Sequence, residues 1–184
     1  MKVLILTVGT TRAPLEESLL HHSPEGVVLV ASQKTLPVAA ELVRDYGESL
    51  RFHTIPLEDA ESLLEAYQVA LEALNKALEW DATSIVADLT GGTKPMAAGL
   101  VLALTGRGVT FSYVGGARRD PETGRVLPGE ERLRLLEDPV GRYGLWEWRA
   151  FTQAWNALNL GTALAQLAAL LKKPLSPSER RFYG

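Results

Sequence analysis

The chain alternates short aliphatic runs with longer stretches of helical spacing. Lys2–Val8 (KVLILTV) is almost entirely aliphatic, the pattern of a strand buried on both faces of a parallel sheet. Residues 26–31 (GVVLVA) and 51–56 (RFHTIP) are similar β-rich runs, each followed by apolar residues at helical intervals. Within residues 60–80, Leu63, Leu64, Tyr67, Ala70, Leu71, Leu74 and Leu78 recur at i, i+3, i+4 and i+7, which predicts a helix. Residues 83–87 predict a fourth strand closed by Asp88, residues 95–105 a further helix, and residues 109–114 a fifth strand. Strands alternating with helices in this way predict an α/β fold, a doubly wound and mostly parallel sheet.

After Tyr113 the pattern changes. The stretch GGARRDPETGRVLPGEERLRLLEDP is rich in turn residues, with Asp120-Pro121 and Thr123-Gly124 marking reversals before Arg132–Leu136 regains strand character, so a terminal β-hairpin is expected. Residues 146–173 return to helical spacing, with Trp146, Trp148, Phe151 and Trp155 close together and an Ala/Leu stripe behind them. The change of character at residues 139–145 divides the chain into an expected domain of residues 1–140 and a C-terminal helical region of residues 141–184. Pro177-Ser178-Glu179 reads as a fresh helix start, from which the natural chain is expected to continue.

Composition narrows the chemistry. The 184 residues are 46% hydrophobic and 22% charged, an ordinary balance for a globular protein, and contain no cysteine, which excludes disulfides, thiolate zinc sites and cysteine nucleophiles. A formal charge of −3 supplies no broad basic face for long nucleic acid, so an anionic ligand must be held by local charges and backbone dipoles. No apolar run approaches the roughly 20 residues that span a bilayer, and the first strand is too short for a secretory signal. A cytoplasmic protein that meets no membrane is expected.

In a doubly wound sheet, right-handed crossovers bring the loops at the carboxyl ends of the strands to one edge, and ligands bind where strand order reverses. With the fourth strand returning beside the first, that point lies between Gly9-Thr10-Thr11 and Thr90-Gly91-Gly92-Thr93-Lys94. Both loops combine glycines, which admit close approach to backbone N–H groups, with hydroxyls, and Lys94 adds charge beside a helix start. Pro95 suits the first helical position, and the whole pattern suits a phosphate. Neither loop has the spacing of a nucleoside-triphosphate loop or of a dinucleotide fingerprint. The plainer reading is of two tight turns with threonine caps.

Other residues add less. Arg118 and Arg119 follow the fifth strand, where they could reach a phosphate or sit in a solvated hairpin beside Asp120 and Glu122. His21 and His22, expected after the first helix, and His53 in the third strand read as surface or core histidines. Asp88, with no second carboxylate beside it, reads as an acid that organises its loop by capping N–H groups; no metal site and no cofactor are expected. The tryptophans of the tail have no basic residues between them and suit a buried dimer or interdomain surface better than base stacking.

At this point the chain resembles the CARF domain, the CRISPR-associated Rossmann fold of type III CRISPR ancillary effectors. The likeness rests on TVGTTRAPLEESL after the first strand, on DLTGGTKPMAAGLVLA after the fourth, and on SYVGGARRDPETGRVLPGEERL, and covers roughly residues 1–138. It implies a Rossmann-like homodimer that binds a cyclic oligoadenylate across its two-fold axis and regulates a C-terminal effector in antiviral defence, with cyclic tetra- or hexa-adenylate as ligand. Carried onto this chain, Gly9, Thr10 and Thr11 meet ribose and phosphate, while Thr90, Gly91, Gly92, Thr93 and Lys94 cradle the phosphate ring; Arg118 is a candidate contact from its position after the fifth strand, not from the resemblance. A metal-independent ring nuclease is the alternative, in which Thr10 or Thr11 orients a ribose 2′-hydroxyl and Lys94 stabilises the charge at phosphorus. An unrelated nucleotide-binding Rossmann protein is a more distant alternative. The HEPN motif Arg-x4–6-His has no counterpart near the C-terminus, so no effector nuclease is read in this chain.

Overall fold

The computed structural model describes residues 1–116 and 132–174. Two compact units are present, Met1–Leu136 and Glu137–Gly184. In the first, the elements run β1 (Lys2–Val8), α1 (Ala13–His22), β2 (Gly26–Ser32), α2 (Leu36–Tyr46), β3 (Arg51–Leu57), α3 (Leu63–Glu79), β4 (Ser84–Asp88), α4 (Lys94–Leu104), β5 (Thr110–Gly115) and β6 (Arg132–Leu136). They build one six-stranded sheet of order β3-β2-β1-β4-β5-β6. The first five strands are parallel; β6 pairs antiparallel with β5, Phe111 opposite Leu136. The doubly wound expectation holds, and strand order reverses at β1, between β2 and β4.

The aliphatic runs explain the layers. Every residue from Val3 to Val8 is buried, alternate side chains entering opposite cores. Val3 and Ile5 pack with Val69, Ala73 and Leu100 of α3 and α4, whereas Leu4, Leu6 and Val8 pack with Leu15, Leu19 and Leu42 of α1 and α2. Each fully buried aliphatic side chain contributes about 1.5–3 kcal/mol, so β1 anchors both layers.

Helix α3 departs from the expected stripe. Ala70 and Leu74 of that stripe are buried, and Tyr67 and Leu71 pack against the core, but Leu63, Leu64 and Leu78 are exposed, and Ala66, Val69, Ala73 and Ala77 complete the buried face. The reason lies in α4: a Cβ at Gly99 would come 2.6 Å from the Ala66 Cβ, so these helices approach too closely for leucine at the contact. The start of α3 is set by Ser62, whose hydroxyl accepts from the Glu65 N–H.

The expected terminal hairpin is present as the β5–β6 pair, its connection lying outside the described residues. In the second unit the expected helical region is broken into α5 (Pro139–Tyr143), α6 (Leu145–Asn156) and α7 (Leu160–Leu171). Leu158 takes a left-handed conformation at φ 55°, and Asn159 caps α7 by accepting from the Thr162 N–H. Phe151 lies between Trp148 and Trp155, at ring separations of 5.5 and 6.0 Å. Residues 177–179, read as a helix start, lie outside the described residues. Among the described residues no helix is long and apolar enough to cross a membrane.

Candidate functional site

The loops after β1 and β4 meet at the carboxyl edge of the sheet, backbone against backbone. Thr7 Oγ1 donates to the Gly91 carbonyl at 2.7 Å. A Cβ on Gly91 would lie 2.0 Å from the Thr7 carbonyl oxygen and 2.8 Å from the Gly9 nitrogen, and Gly92 has φ +75°. Gly91 is therefore required first by the contact between the two loops, and Gly92 by its left-handed backbone.

Two of the loop threonines are committed to structure. The Thr93 hydroxyl accepts from the Met96 N–H at 3.3 Å, capping α4, and donates to the Ala60 carbonyl. Its single proton is thereby used. Thr90 Oγ1 accepts from the Val114 N–H at 2.7 Å, which leaves its proton available. The side chains of Thr10, Thr11 and Lys94 make no hydrogen bond or ion pair among the described residues, and all three residues are exposed. Lys94 is the first residue of α4 and Pro95 the second, one position later than expected, because Thr93 is the cap.

A cleft of about 440 Å³ opens beside this junction. Gly9, Thr10, Gly92 and Thr93 line it; Thr11, Thr90, Gly91 and Lys94 do not. Its far wall was not expected: Ser32, Gln33, Lys34 and Thr35 from the end of β2, with Glu58 and Glu61 from the loop after β3. The stretch SQKT has the same hydroxyl and cationic character as the two loops chosen from the sequence. The reversal point alone does not lead to this stretch, although β2 is the other neighbour of β1. Ser32 and Thr35 are buried and bonded to each other at 3.1 Å, which presents Lys34 between them to solvent.

Arg12, next to Thr11, serves the scaffold. Its guanidinium reaches Glu16 at 2.6 Å, Asp45 at 2.8 Å and Glu41 at 3.3 Å, tying the β1 turn to α2. The Arg12 hydrogen bond holds the Asp45 carboxyl below the usual carboxylate range.

Beneath the β4 loop lies a buried polar chain. Asp88 is wholly buried; its Oδ1 accepts from the Thr90 N–H at 2.9 Å and its Oδ2 from the Ser112 hydroxyl at 2.7 Å. Ser112 Oγ is in turn 3.0 Å from His22 Nε2. Because the serine proton is given to Asp88, the imidazole must donate from Nε2. Burial chiefly, and Lys2 next, push the His22 ring below its ordinary histidine value, partly opposed by Asp88. The residue belongs to the last turn of α1, not to a segment after it, since the helix runs to a left-handed cap at Ser23. Asp88 caps its loop as its place at a strand end suggested.

Arg118 and Arg119 lie outside the described residues. Among the described residues no three His, Asp or Glu side chains converge on a metal position. What the junction offers is unengaged donors, Lys94 and the hydroxyls of Thr10 and Thr11, at a helix start. Charge and the backbone dipole of a helix start are chemically suited to an anion.

No family model matches the chain. The CRISPR system endoribonuclease Csm6 of Thermus thermophilus is 31% identical over 147 residues, an alignment that covers 74% of this chain and 29% of that protein. Among solved structures, Enterococcus italicus Csm6 bound to cyclic hexa-2′-fluoro-hexa-dAMP has a TM-score of 0.69 at 12% identity, over 100% of this chain and 53% of that one. Can2 from Sulfobacillus thermosulfidooxidans in complex with cyclic tetra-adenylate has a TM-score of 0.51 at 13% identity, over 61% of this chain and 31% of that one. The chain thus spans less than a third of the curated relative's length.

Proposed function

This chain is a CARF domain related over most of its length to the Csm6 and Can2 ancillary effectors of type III CRISPR systems, and on that premise we propose that it senses a cyclic oligoadenylate. The observation that carries the reading is the junction of the β1 and β4 loops at the strand-order reversal, where Lys94, Thr10 and Thr11 stand unengaged among the described residues. A ring of phosphodiesters supplies the repeated negative charge that such a site takes. The ligand would lie across the two-fold axis of a cytoplasmic homodimer, each protomer contributing Gly9, Thr10, Thr11, residues 90–94 and Arg118. Cyclic tetra- or hexa-adenylate is the expected ligand, and its binding would shift the dimer toward the state that activates a C-terminal effector. The Thr90 to Lys94 positions would hold phosphate, with Thr90 donating the proton that its bond to Val114 leaves free.

A second reading is favoured by the free hydroxyls of Thr10 and Thr11. In a ring nuclease one of them would orient a ribose 2′-hydroxyl for attack on the adjacent phosphorus; the bond to the 5′-oxygen would break, leaving a 2′,3′-cyclic phosphate and a 5′-hydroxyl. Lys94 would stabilise the charge that develops on the phosphorane oxygens.

One experiment separates the readings: calorimetric titration of the protein with cyclic tri-, tetra- and hexa-adenylate, then chromatography of the recovered ligand. Binding near one ring per dimer with the ligand intact supports the sensor. Linear product supports the nuclease, and no binding to any ring sinks both.

A further inference from the structure

We infer that His22 and Ser112 are positioning residues of the ligand site: a buried hydrogen-bond relay from the end of α1, through β5, to the Asp88 carboxylate sets where the Thr90–Lys94 loop stands. The importance of that loop rests on the function proposed above; the relay itself rests on geometry. Three polar side chains sit where aliphatic ones would fill the layer, His22 at 5% exposure and Ser112 and Asp88 at 0%. Burying them is unfavourable unless each is bonded, and here each bond leads to the next.

The direction of the relay is defined. His22 Nε2–H donates to Ser112, the Ser112 hydroxyl donates to Asp88 Oδ2, and Asp88 Oδ1 receives the Thr90 N–H. Its terminus is therefore the backbone of the candidate phosphate loop. Strand β5 grips the same segment twice more, through the Leu89 N–H to the Ser112 carbonyl at 2.9 Å and through the Val114 N–H to Thr90 Oγ1. At the other end, Lys2 Nζ donates to the His22 carbonyl at 2.6 Å, pinning the close of α1 to β1. Since α1 starts directly after the Gly9–Arg12 turn, one helix bears on both loops of the junction. None of these side chains lines the cleft, so their effect on a ligand must pass through the loop.

The test uses the whole chain and two readouts, hydrogen exchange at the Thr90 amide without ligand, and affinity for cyclic tetra- and hexa-adenylate. Ser112→Ala cuts the relay in its middle. It is expected to speed Thr90 exchange about tenfold relative to the amides of β1, and to weaken ring binding about two- to tenfold, the usual range for one hydrogen bond. Ser112→Thr, which keeps the hydroxyl, is expected to restore both. Unchanged Thr90 exchange, faster exchange with unchanged affinity, or equal losses in the Ala and Thr variants would each overturn the inference. Should Ser112→Ala fail to fold, His22→Leu removes the donor at the far end of the relay and is expected to move both readouts in the same directions; no change in either would overturn the inference equally. If no ring binds the wild-type protein, the functional reading fails while the exchange arm still decides whether the relay holds the loop.

Discussion

Replacing Lys94 by alanine should move affinity and stability in opposite directions. The residue opens α4, where the helix dipole is positive, and no acid stands in the first turn to offset it. A cation at that end is unfavourable by about 0.3–1 kcal/mol, and alanine is the better helix former, so folding stability should hold or rise slightly. A phosphate on the loop would make Lys94 the donor of a charge-assisted bond, typically about 1.5–3 kcal/mol, which solvent exposure reduces toward the lower figure. A ring shared by two protomers meets the substitution twice, so the expected loss of affinity is at least about tenfold at 1.4 kcal/mol per decade. Calorimetry with cyclic tetra- and hexa-adenylate at low and moderate salt, beside thermal melts, measures both quantities. The gap between wild type and variant should narrow as salt rises. An affinity within about twofold of wild type at low salt, with folding intact, would refute the placement of phosphate at Lys94.

Three further outcomes follow from the packing. Gly91→Ala forces a Cβ against the Thr7 carbonyl oxygen, and should destabilise the fold by about 1–3 kcal/mol in chemical denaturation as well as abolish ring binding; an unperturbed midpoint would contradict the loop contact. Ser18→Ala removes a buried hydroxyl that has no partner among the described residues and should raise stability by about 1 kcal/mol, a fall instead showing that the hydroxyl is bonded. His22, whose folded-state pKa is depressed mainly by burial, binds fewer protons folded than unfolded once pH drops below the ordinary value of 6.5. Stability should therefore be full above that value and be lost as pH falls through the folded-state value; denaturation midpoints from about pH 7.5 to about pH 5 should show this slope in wild type and a flatter one in His22→Gln.

The alternation of aliphatic runs and helical stripes was enough to state the fold class, because the periods that separate strand from helix are local properties of the chain. Strand order could be argued from the same pattern, since crossover handedness leaves few alternatives, and it placed the β1 and β4 loops together. Other features were out of reach. Leu64 and Leu78 share the stripe of α3 yet face solvent, because the width of the buried face depends on how closely α4 approaches at Gly99. Lys34 and its neighbours join the cleft through the pairing of β2 with β1, and Gly91 is explained by an oxygen 84 residues away in sequence. His22 looked like a residue without a role, and only a bond to Ser112 across 90 residues connects it to Asp88. What the sequence determined by itself is what repeats over a few residues; close backbone approaches and the satisfaction of buried polar groups were decided by the tertiary structure, because each needs partners that only folding brings within hydrogen-bond or van der Waals distance.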